Sequence, residues 1–171
     1  MGIYTRTGDR GSTATLSGER HRKDHAVFEA NGTIDELSAH LGVIRVATDC
    51  PTNLNRFLHR VQLDLVQVGA YVSSGDAGYL DHLRLGSDPF EDLIDQVLSH
   101  VTIEEFIIPG AKELEARLHL ARTVCRRAER RLVALVERTD ETAWRYVNRF
   151  SDVLFALALR TLHNIPLHYP D

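Results

Sequence analysis

The sequence predicts an all-α fold, an up-and-down bundle of about five helices that follows an extended N-terminal loop. Apolar residues recur at steps of three and four from near residue 25 almost to the end of the chain. The chain has 171 residues, the length of one domain, and no internal repeat or linker divides it. We therefore expect one domain, with residues 1–24 as a loop and residues 25–165 as the bundle.

Two apolar stripes predict the first two helices. The first stripe consists of Ile34, Leu37, Leu41 and Ile44. Residues 33–36, T-I-D-E, are typical of a capping box, so we expect the first helix to begin near Thr33. The second stripe consists of Leu54, Phe57, Val61, Leu65, Val68 and Val72. Ser74 and Gly75 follow this stripe and end the second helix.

Three more helices are predicted in the second half of the chain. Residues 75–88 carry no clear signal and are predicted as a loop, after which Asp88 and Pro89 indicate a capped helix start. The segment F-I-I-P-G at residues 106–110 then interrupts, because it is too short for a lasting strand. The fourth helix has the clearest stripe: Leu114, Leu118, Ala121, Cys125, Ala128, Leu132 and Leu135. The fifth is expected over residues 140–162.

Charge and composition exclude several classes of protein. The net charge of −4 argues against a general nucleic-acid binder, which must neutralise many phosphates. Cys50 and Cys125 lie far apart and form no C-x-x-C pair, so a disulfide scaffold is not expected and the reducing cytoplasm is the predicted compartment. No apolar run approaches the roughly 18 residues of a membrane span. We expect neither nucleic acid nor membrane as a partner.

The first candidate site is the N-terminal segment T-R-T-G-D-R-G-S-T at residues 5–13. Its glycines, hydroxyls and arginines offer backbone N–H groups, donors and positive charge, the mixture that binds polyphosphate. It is not a Walker A loop, because G-x-x-x-x-G-K-[ST] is absent. The alternative is a flexible polar N-terminus.

The second candidate is the arginine-rich part of the fourth helix, residues 122–131. At about 100° per residue, Arg122, Arg126 and Glu129 fall in one sector of about 60° at the edge of the core. Arginines at such an edge are partly desolvated, which strengthens their hold on phosphate. Arg127 and Arg131 are expected to face solvent. The alternative is a helix whose arginines only pair with glutamates, such as Arg126 with Glu129.

A polar strip on the fifth helix, Asn148 with Ser151 and Asp152, is the third candidate. A buried amide must be hydrogen-bonded, so Asn148 either binds a ligand or ties two helices together. Asp35 in the first helix has the same two interpretations. The nine histidines form no metal-binding pattern, and no Ser-His-Asp or Cys-His pair is evident.

Together these segments resemble the PduO-type ATP:cob(I)alamin adenosyltransferases, the class that includes the human mitochondrial enzyme. The likeness runs through I-Y-T-R-T-G-D-R-G, S-G-E-R-H-R-K-D-H-A-V-F-E-A-N-G-T-I-D-E-L-S, F-I-I-P-G, L-H-L-A-R-T-V-C-R-R-A-E-R-R and Y-V-N-R-F-S-D-V-L-F, in the family's order. The resemblance implies transfer of the 5′-deoxyadenosyl group of ATP to cob(I)alamin, with release of triphosphate. It also implies Mg²⁺, a flavoprotein reductase and a B12-dependent enzyme as partners.

The resemblance further implies a homotrimer that holds ATP between neighbouring subunits. The residues implied to bind ATP are Thr5, Arg6, Thr7, Gly8, Asp9, Gly11, Thr13, Ala14, Lys23, Arg126, Arg127, Glu129, Arg130 and Asn148. Asp35 and Arg122 match a pair that bridges the subunit interface, and Phe106 matches a phenylalanine near the lower face of the corrin. With Arg126, these are the candidate catalytic residues, and no protein ligand for a metal is implied.

The sequence departs from the family in the region from Gly75 to Pro89, in the tail, where Tyr169 is the one candidate for an aromatic lid, and at three further places. Ala14 replaces a usual hydroxyl, residues 110–112 read G-A-K where the family tends to have Gly-Gly, and Asn31 replaces an apolar or aromatic residue. Two alternatives stay open, the first of them because of Ala14 and the turn at residues 110–112. One is a non-catalytic relative that binds ATP or corrinoid as an escort or sensor, and the other is a structural bundle whose arginines only pair with carboxylates.

Overall fold

Five α-helices account for most of residues 4, 6–135 and 139–170, which are the residues that the computed structural model describes. The helices are α1 (Ala26–Arg45), α2 (Thr52–Ser74), α3 (Ser87–Leu98), α4 (Glu113–Val133) and α5 (Glu141–His163). A short 3₁₀ helix, Ala77–His82, lies between α2 and α3. The all-α prediction is confirmed for the bundle, and the loop predicted at residues 75–88 is wrong in omitting this helix.

The N-terminal segment contains a small antiparallel hairpin, which corrects the prediction of a loop without secondary structure. Strand β1 (Ser12–Ala14) pairs with strand β2 (Arg20–Arg22), and Thr13 lies opposite His21. The turn between them is closed by a hydrogen bond from Thr15 N to Glu19 O at 2.9 Å. Each strand has only three residues, too few to show an alternating pattern in the sequence.

Helix α1 begins seven residues earlier than predicted, at Ala26, and the capping box expected at Thr33 is wrong. The ring of His25 caps the helix by accepting from Val27 N at 3.3 Å. Thr33 is buried within the helix, and its hydroxyl donates to Glu29 O at 2.7 Å. Residues 26–32 read A-V-F-E-A-N-G, and the asparagine and glycine there mask the helical pattern.

The remaining helix ends agree closely with the sequence. Gly75 ends α2 in the left-handed conformation, at φ 75°. Helix α3 starts at Ser87 instead of at Pro89, which is tolerated as the third residue because the first four N–H groups of a helix have no partner within it. Asp140 caps α5, and its carboxylate accepts from Thr142 N at 2.7 Å.

The helices pack in the order α2, α1, α4, α5, α3, so that α1 lies between α2 and α4, and α5 lies between α4 and α3. Aromatic rings fill the centre: the Phe90 ring lies 6.2 Å from the ring of Phe57 and 5.7 Å from that of Phe150. One buried carboxylate, Asp64, accepts hydrogen bonds from the Tyr146 hydroxyl and from the N–H groups of Arg84 and Leu85. These bonds hold the connection between α2 and α3 against the core.

Candidate functional site

The N-terminal site residues lie in a turn that leads into the hairpin. Asp9 N donates to Arg6 O at 3.3 Å, and Gly11 N donates to Gly8 O at 3.2 Å. Gly11 has φ 77°, a conformation that favours glycine because it has no Cβ. Thr5, also predicted to bind ATP, lies outside the described residues. The turn is therefore closed by its own backbone hydrogen bonds.

Lys23 returns from the hairpin to this turn. Its backbone N–H donates to Gly11 O at 3.0 Å, and a Cβ on Gly8 would meet the Lys23 Cε and Nζ atoms at 3.2 Å. The Arg20 guanidinium braces the same turn by donating to Thr7 O at 3.1 Å. The other two predicted residues of the segment, Thr13 and Ala14, lie in β1. The structure thus brings the described residues of the N-terminal prediction together.

The hairpin is fastened over the groove between α1 and α2. Leu16 N donates to the hydroxyl of Ser73, near the end of α2, at 2.9 Å. A cavity of about 360 Å³ lies beneath it, and Leu16, Asn31 and Asp35 are among its lining residues. The carboxylate of Asp35 is exposed. Asp35 and the N-terminal turn therefore belong to the same side of the bundle, which we call the α1–α2 groove.

The arginine-rich helix presents a second group of polar side chains, along the line where α4 meets α5. Glu129 Oε1 accepts a hydrogen bond from Asn148 Nδ2 at 2.8 Å. The Arg122 guanidinium lies over the ring of Phe155, 5.1 Å from its centre. Arg126 is exposed and makes no hydrogen bond or ion pair with any residue that the structure describes. We call Arg122, Arg126, Glu129 and Asn148 the α4–α5 strip.

This arrangement decides between the alternatives for single residues. Glu129 is bonded to Asn148 and not to Arg126, so the predicted Arg–Glu pair does not form among the described residues. Asn148 does tie two helices together. Ser151 is buried, with no hydrogen bond to its hydroxyl in the described chain. Asp152 accepts from Arg149 at 3.0 Å. The strip thus contains a hydrogen-bonded pair, Asn148 with Glu129, and an arginine, Arg126, that has no partner among the described residues.

Arg127 and Arg131 are partly exposed, as predicted, but each is also paired with α1, which the sequence did not indicate. Arg127 forms an ion pair with Glu36 on α1. Arg131 pairs with Glu29 at 2.8 Å and also bonds to the hydroxyl of Thr33. The cause is the packing of α1 against this face of α4. Arg130 is exposed and, within the described part of the chain, unpaired.

The two groups of predicted site residues are separated within one chain. The N-terminal turn and Asp35 lie at the α1–α2 groove, whereas Arg122, Arg126 and Asn148 lie where α4 meets α5. No hydrogen bond or ion pair between residues of the described ranges joins the turn to the strip, or Asp35 to Arg122. The turn and the strip, predicted to form one ATP site, therefore lie on different sides of the bundle. Asp35 and Arg122, predicted to form a pair, lie on the same two sides.

Phe106 lies in the segment between α3 and α4 and is completely exposed. Ile108 nearby is 87% exposed, whereas Ile107 packs partly against the core. The segment ends in a turn at residues 110–112, the place where the sequence departs from the family. Lys112 Nζ donates to the carbonyl oxygens of Thr161 at 2.7 Å and Leu162 at 3.1 Å. Phe106 and Ile108 are therefore exposed to solvent, while the turn that follows them is hydrogen-bonded to the end of α5.

Sequence reasoning missed two residues beside this turn. Glu115 is completely buried, and its Oε2 accepts from the N–H groups of Gly110, Ala111 and Lys112 at 3.0, 3.1 and 3.4 Å. The second oxygen lies 3.2 Å from Nε2 of His119, without the alignment of a hydrogen bond. Burial lowers the pKa of His119, with Glu115 opposing this effect. The only signal in the sequence is the four-residue spacing of the pair.

None of the helices in the described ranges is long and apolar enough to cross a membrane. In those ranges, no three histidine, cysteine, aspartate or glutamate side chains are grouped as metal ligands. Both cysteines are free thiols.

Comparison with known proteins identifies the family. The sequence model of the cobalamin adenosyltransferases matches residues 3–161. A corrinoid adenosyltransferase of Citrobacter freundii is 43% identical over 165 residues, which are 91% of this chain and 92% of that protein. The human corrinoid adenosyltransferase MMAB is 39% identical over 167 residues, 91% of this chain and 67% of the human protein. The chain spans about half, 51%, of the PduO protein of Citrobacter freundii, with 40% identity over 96% of this chain.

Solved structures agree with the sequence comparison. A variant of the PduO-type ATP:corrinoid adenosyltransferase from Lactobacillus reuteri, complexed with cobalamin and ATP, has a TM-score of 0.84 to this chain. The two are 27% identical, and the match covers 99% of each chain. Together with the family match over most of the sequence, this agreement shows that the chain belongs to the cobalamin adenosyltransferase family.

Proposed function

We propose that the chain transfers the 5′-deoxyadenosyl group of ATP to the Co(I) ion of a corrinoid. A cobalt–carbon bond forms at the 5′ carbon of ATP, the bond from that carbon to the phosphate oxygen breaks, and triphosphate leaves. The family match and the relatives named corrinoid adenosyltransferase support this activity. The observation in the structure that best supports it is the uncommitted Arg126 beside the fixed Glu129–Asn148 pair.

The protein's part in this reaction is to position ATP and neutralise its leaving group. Co(I) is itself a strong nucleophile, so no general base is required. Arg126, Arg130 and Lys23 would balance the negative charge that develops on triphosphate, and the N-terminal turn would lie against the phosphate groups. Glu129 orients Asn148 for contact with the nucleotide. Arg127 forms an ion pair with Glu36. To contact ATP it would have to bind the nucleotide and Glu36 at the same time.

The residues present fit ATP bound with Mg²⁺. This ion usually keeps water and substrate phosphates as ligands, so the described chain needs no carboxylate cage of its own. Thr13, at the start of the hairpin, is a hydroxyl within the predicted phosphate loop. When bound, Mg²⁺ would neutralise part of the triphosphate charge, and the arginines of the α4–α5 strip would neutralise more of it.

We also propose that the ATP site is completed by a second copy of the chain, in a homotrimer. The segregation of the predicted residues supports this: the N-terminal turn and Asp35 occupy the α1–α2 groove, and Arg122 and Arg126 occupy the α4–α5 strip. When the groove of one copy meets the strip of another, Asp35 and Arg122 face each other. In a cyclic trimer each α1–α2 groove meets the α4–α5 strip of the next copy, so that no groove or strip is left without a partner.

Phe106 is proposed to lie beneath the corrin ring. An exposed phenylalanine next to Ile108 offers an apolar wall, which would keep a fifth ligand off cobalt and make Co(II) easier to reduce; the cobalt chemistry otherwise belongs to the corrinoid. A flavoprotein reductase as electron donor and a B12-dependent enzyme as acceptor of the product remain predictions, as does a cytoplasmic location.

The decisive experiment combines the purified chain with ATP, Mg²⁺ and chemically reduced cobalamin. We expect the visible spectrum to change to that of an alkylated corrinoid, with one triphosphate released for each product molecule. A chain that binds both ligands without forming product would instead be an escort or sensor. Absence of ATP binding in equilibrium dialysis would leave only a structural role.

A further inference from the structure

Glu115 holds the turn that ends the Phe106 segment. Its side chain is completely buried, and one carboxylate oxygen collects the three successive N–H groups of residues 110–112. A carboxylate buried away from water needs hydrogen-bond partners of this kind, and these three N–H groups supply them. The turn includes Gly110 at φ 122°, a left-handed conformation in which the chain reverses towards α4. The carboxylate therefore defines where the apolar segment leaves the bundle.

A second clamp holds the same turn from the other side. Lys112 crosses to the end of α5 and bonds to two carbonyl oxygens there and to Asn164 Oδ1 at 2.9 Å. The turn is thus joined to α4 by Glu115 and to α5 by Lys112. Phe106 has no packing of its own, since its side chain is completely exposed. Its position depends on the partly packed Ile107 and on this turn.

Glu115 is also in line with the α4–α5 strip. Residues 115, 119, 122, 126 and 129 follow one another at steps of four and three, which keeps them within a sector of about 80° on α4. Contacts continue the line: the His119 ring lies edge-on to Phe155, with 5.9 Å between the ring centres, and Arg122 covers the same ring. One face of α4 therefore carries the turn at its beginning and the arginines towards its end.

From these contacts we infer that Glu115 is a positioning residue for the corrinoid: it sets the Phe106 segment at a fixed place relative to the arginines that bind ATP. The inference rests on the proposed function, because it assigns the segment to the corrinoid. The side chain does not touch either substrate. It acts through the backbone of residues 110–112, where the family's usual Gly-Gly is absent.

The test compares Glu115→Ala with Glu113→Ala. Both remove a carboxylate from the first turn of α4, but Glu113 is exposed and bonds only to Arg117 in the described chain. We expect Glu115→Ala to raise the KM for the corrinoid about tenfold or more, because small misplacements of a binding segment carry large penalties. The KM for ATP should stay within about twofold. The loss should be greater when the reaction starts from Co(II) than from pre-reduced Co(I).

Two further measurements separate positioning from folding. Glu115→Gln retains the size of the side chain and one acceptor oxygen, so it should fall between Glu115→Ala and the unchanged protein. Amide hydrogen exchange at residues 110–112 should become faster in Glu115→Ala and remain slow in Glu113→Ala, whether or not the chain is active. Circular dichroism should show the same helix content in all variants.

The outcomes are distinct. Unchanged corrinoid KM in Glu115→Ala, or an equal loss for ATP and corrinoid, would overturn the positioning role. Unchanged hydrogen exchange would overturn the anchoring itself. If the unsubstituted chain forms no adenosylcorrinoid, the proposed function and the assignment of the segment to the corrinoid are both wrong. Hydrogen exchange that responds as expected would still show that Glu115 anchors the turn.

Discussion

The side-chain amide of Asn148 donates a hydrogen bond to the carboxylate of Glu129 across the line where α4 meets α5, at 2.8 Å. This bond determines which end of the amide faces outward. The NH₂ group is directed to Glu129, so the carbonyl oxygen is left for a donor on a ligand. The neighbouring Arg126 makes no hydrogen bond or ion pair within the described chain.

Replacing Asn148 by Asp should weaken ATP binding about tenfold or more, because two carboxylates would then face each other at hydrogen-bond distance. Isothermal titration with ATP and Mg²⁺ measures this. The double variant Glu129→Gln with Asn148→Asp restores a complementary pair and serves as the control. It should recover the thermal stability of the unsubstituted protein without recovering ATP affinity. Full recovery of affinity would show that the pair is only a helix tie.

Arg126→Ala should reduce adenosyl transfer about 100-fold or more, since an arginine that meets charge developing on the leaving group contributes mainly in the transition state. Helix content should not change, because the side chain is exposed and unpaired in the described structure. Arg145→Ala, at an exposed position on α5, is the matched control and should retain normal rates. Near-normal turnover of the Arg126 variant would remove it from the site.

Asp35→Asn should weaken trimer formation, ATP binding or both, because it removes the charge proposed to meet Arg122 of a neighbouring copy. Sedimentation velocity over a range of protein concentrations would show dissociation at higher concentration than for the unsubstituted chain. Asp92→Asn removes an exposed carboxylate from α3 and should not change sedimentation. An identical profile and ATP affinity for the Asp35 variant would contradict the interface assignment.

Phe106→Ala should slow turnover from Co(II) more than turnover from pre-reduced Co(I). The phenylalanine is proposed to exclude a fifth ligand from cobalt, and this matters for reduction but less for the attack on ATP. The two starting states of the corrinoid provide the internal control. Folding should be unaffected, because the ring is completely exposed. Equal losses in both assays would mean that Phe106 contributes only to corrinoid binding.

The stability of the protein should depend on the protonation of His119. Burial is the main cause that lowers the pKa of this residue below its ordinary value of 6.5. As the pH falls below that value, the unfolded chain takes up a proton that the folded chain excludes, so the free energy of unfolding decreases until the pH reaches the folded pKa. Above the ordinary pKa, the contribution of the neutral ring is fully present.

Urea unfolding between pH 8 and pH 5, roughly the range in which histidine titrates, would measure this dependence. The unsubstituted protein should lose more stability on acidification than His119→Gln, which has no ring to protonate. His100→Gln, at an exposed position, should follow the unsubstituted protein. A His119 variant with the same slope would show that other groups cause the acid sensitivity.

Periodicity was sufficient to predict the helices, because bundle packing requires an apolar residue at every third or fourth position. It could not place the start of α1, since Asn31 and Gly32 break the pattern while the helix continues through them. The same geometry placed Arg122, Arg126 and Glu129 on one face correctly. It did not predict the partners of Arg127 and Arg131, because the angle around a single helix does not reveal that α1 packs there.

The role of Glu115 was out of reach for a different reason. Glu115 is the third residue of α4, where a glutamate can accept from the N-cap N–H as in a capping box, but Lys112 at the N-cap position is not the serine or threonine that usually marks this motif. Only the fold shows that this carboxylate is buried against three N–H groups while that of Glu113 is exposed. Whether a side chain can bond to the backbone of a preceding turn depends on where that backbone runs, and residue type alone does not reveal this.

In the proposed function, helix α4 fixes the distance between the turn that ends the Phe106 segment and the residues assigned to ATP. From Glu115 to Glu129 it rises about 21 Å, and each residue added or removed between them would rotate one end against the other by about 100°. Insertions within this stretch should therefore misalign the two halves of the reaction even when the helix survives. The connection at residues 99–105 is not helical, although Val101 packs partly against the core. A change of length there should therefore be tolerated better than one between Glu115 and Glu129.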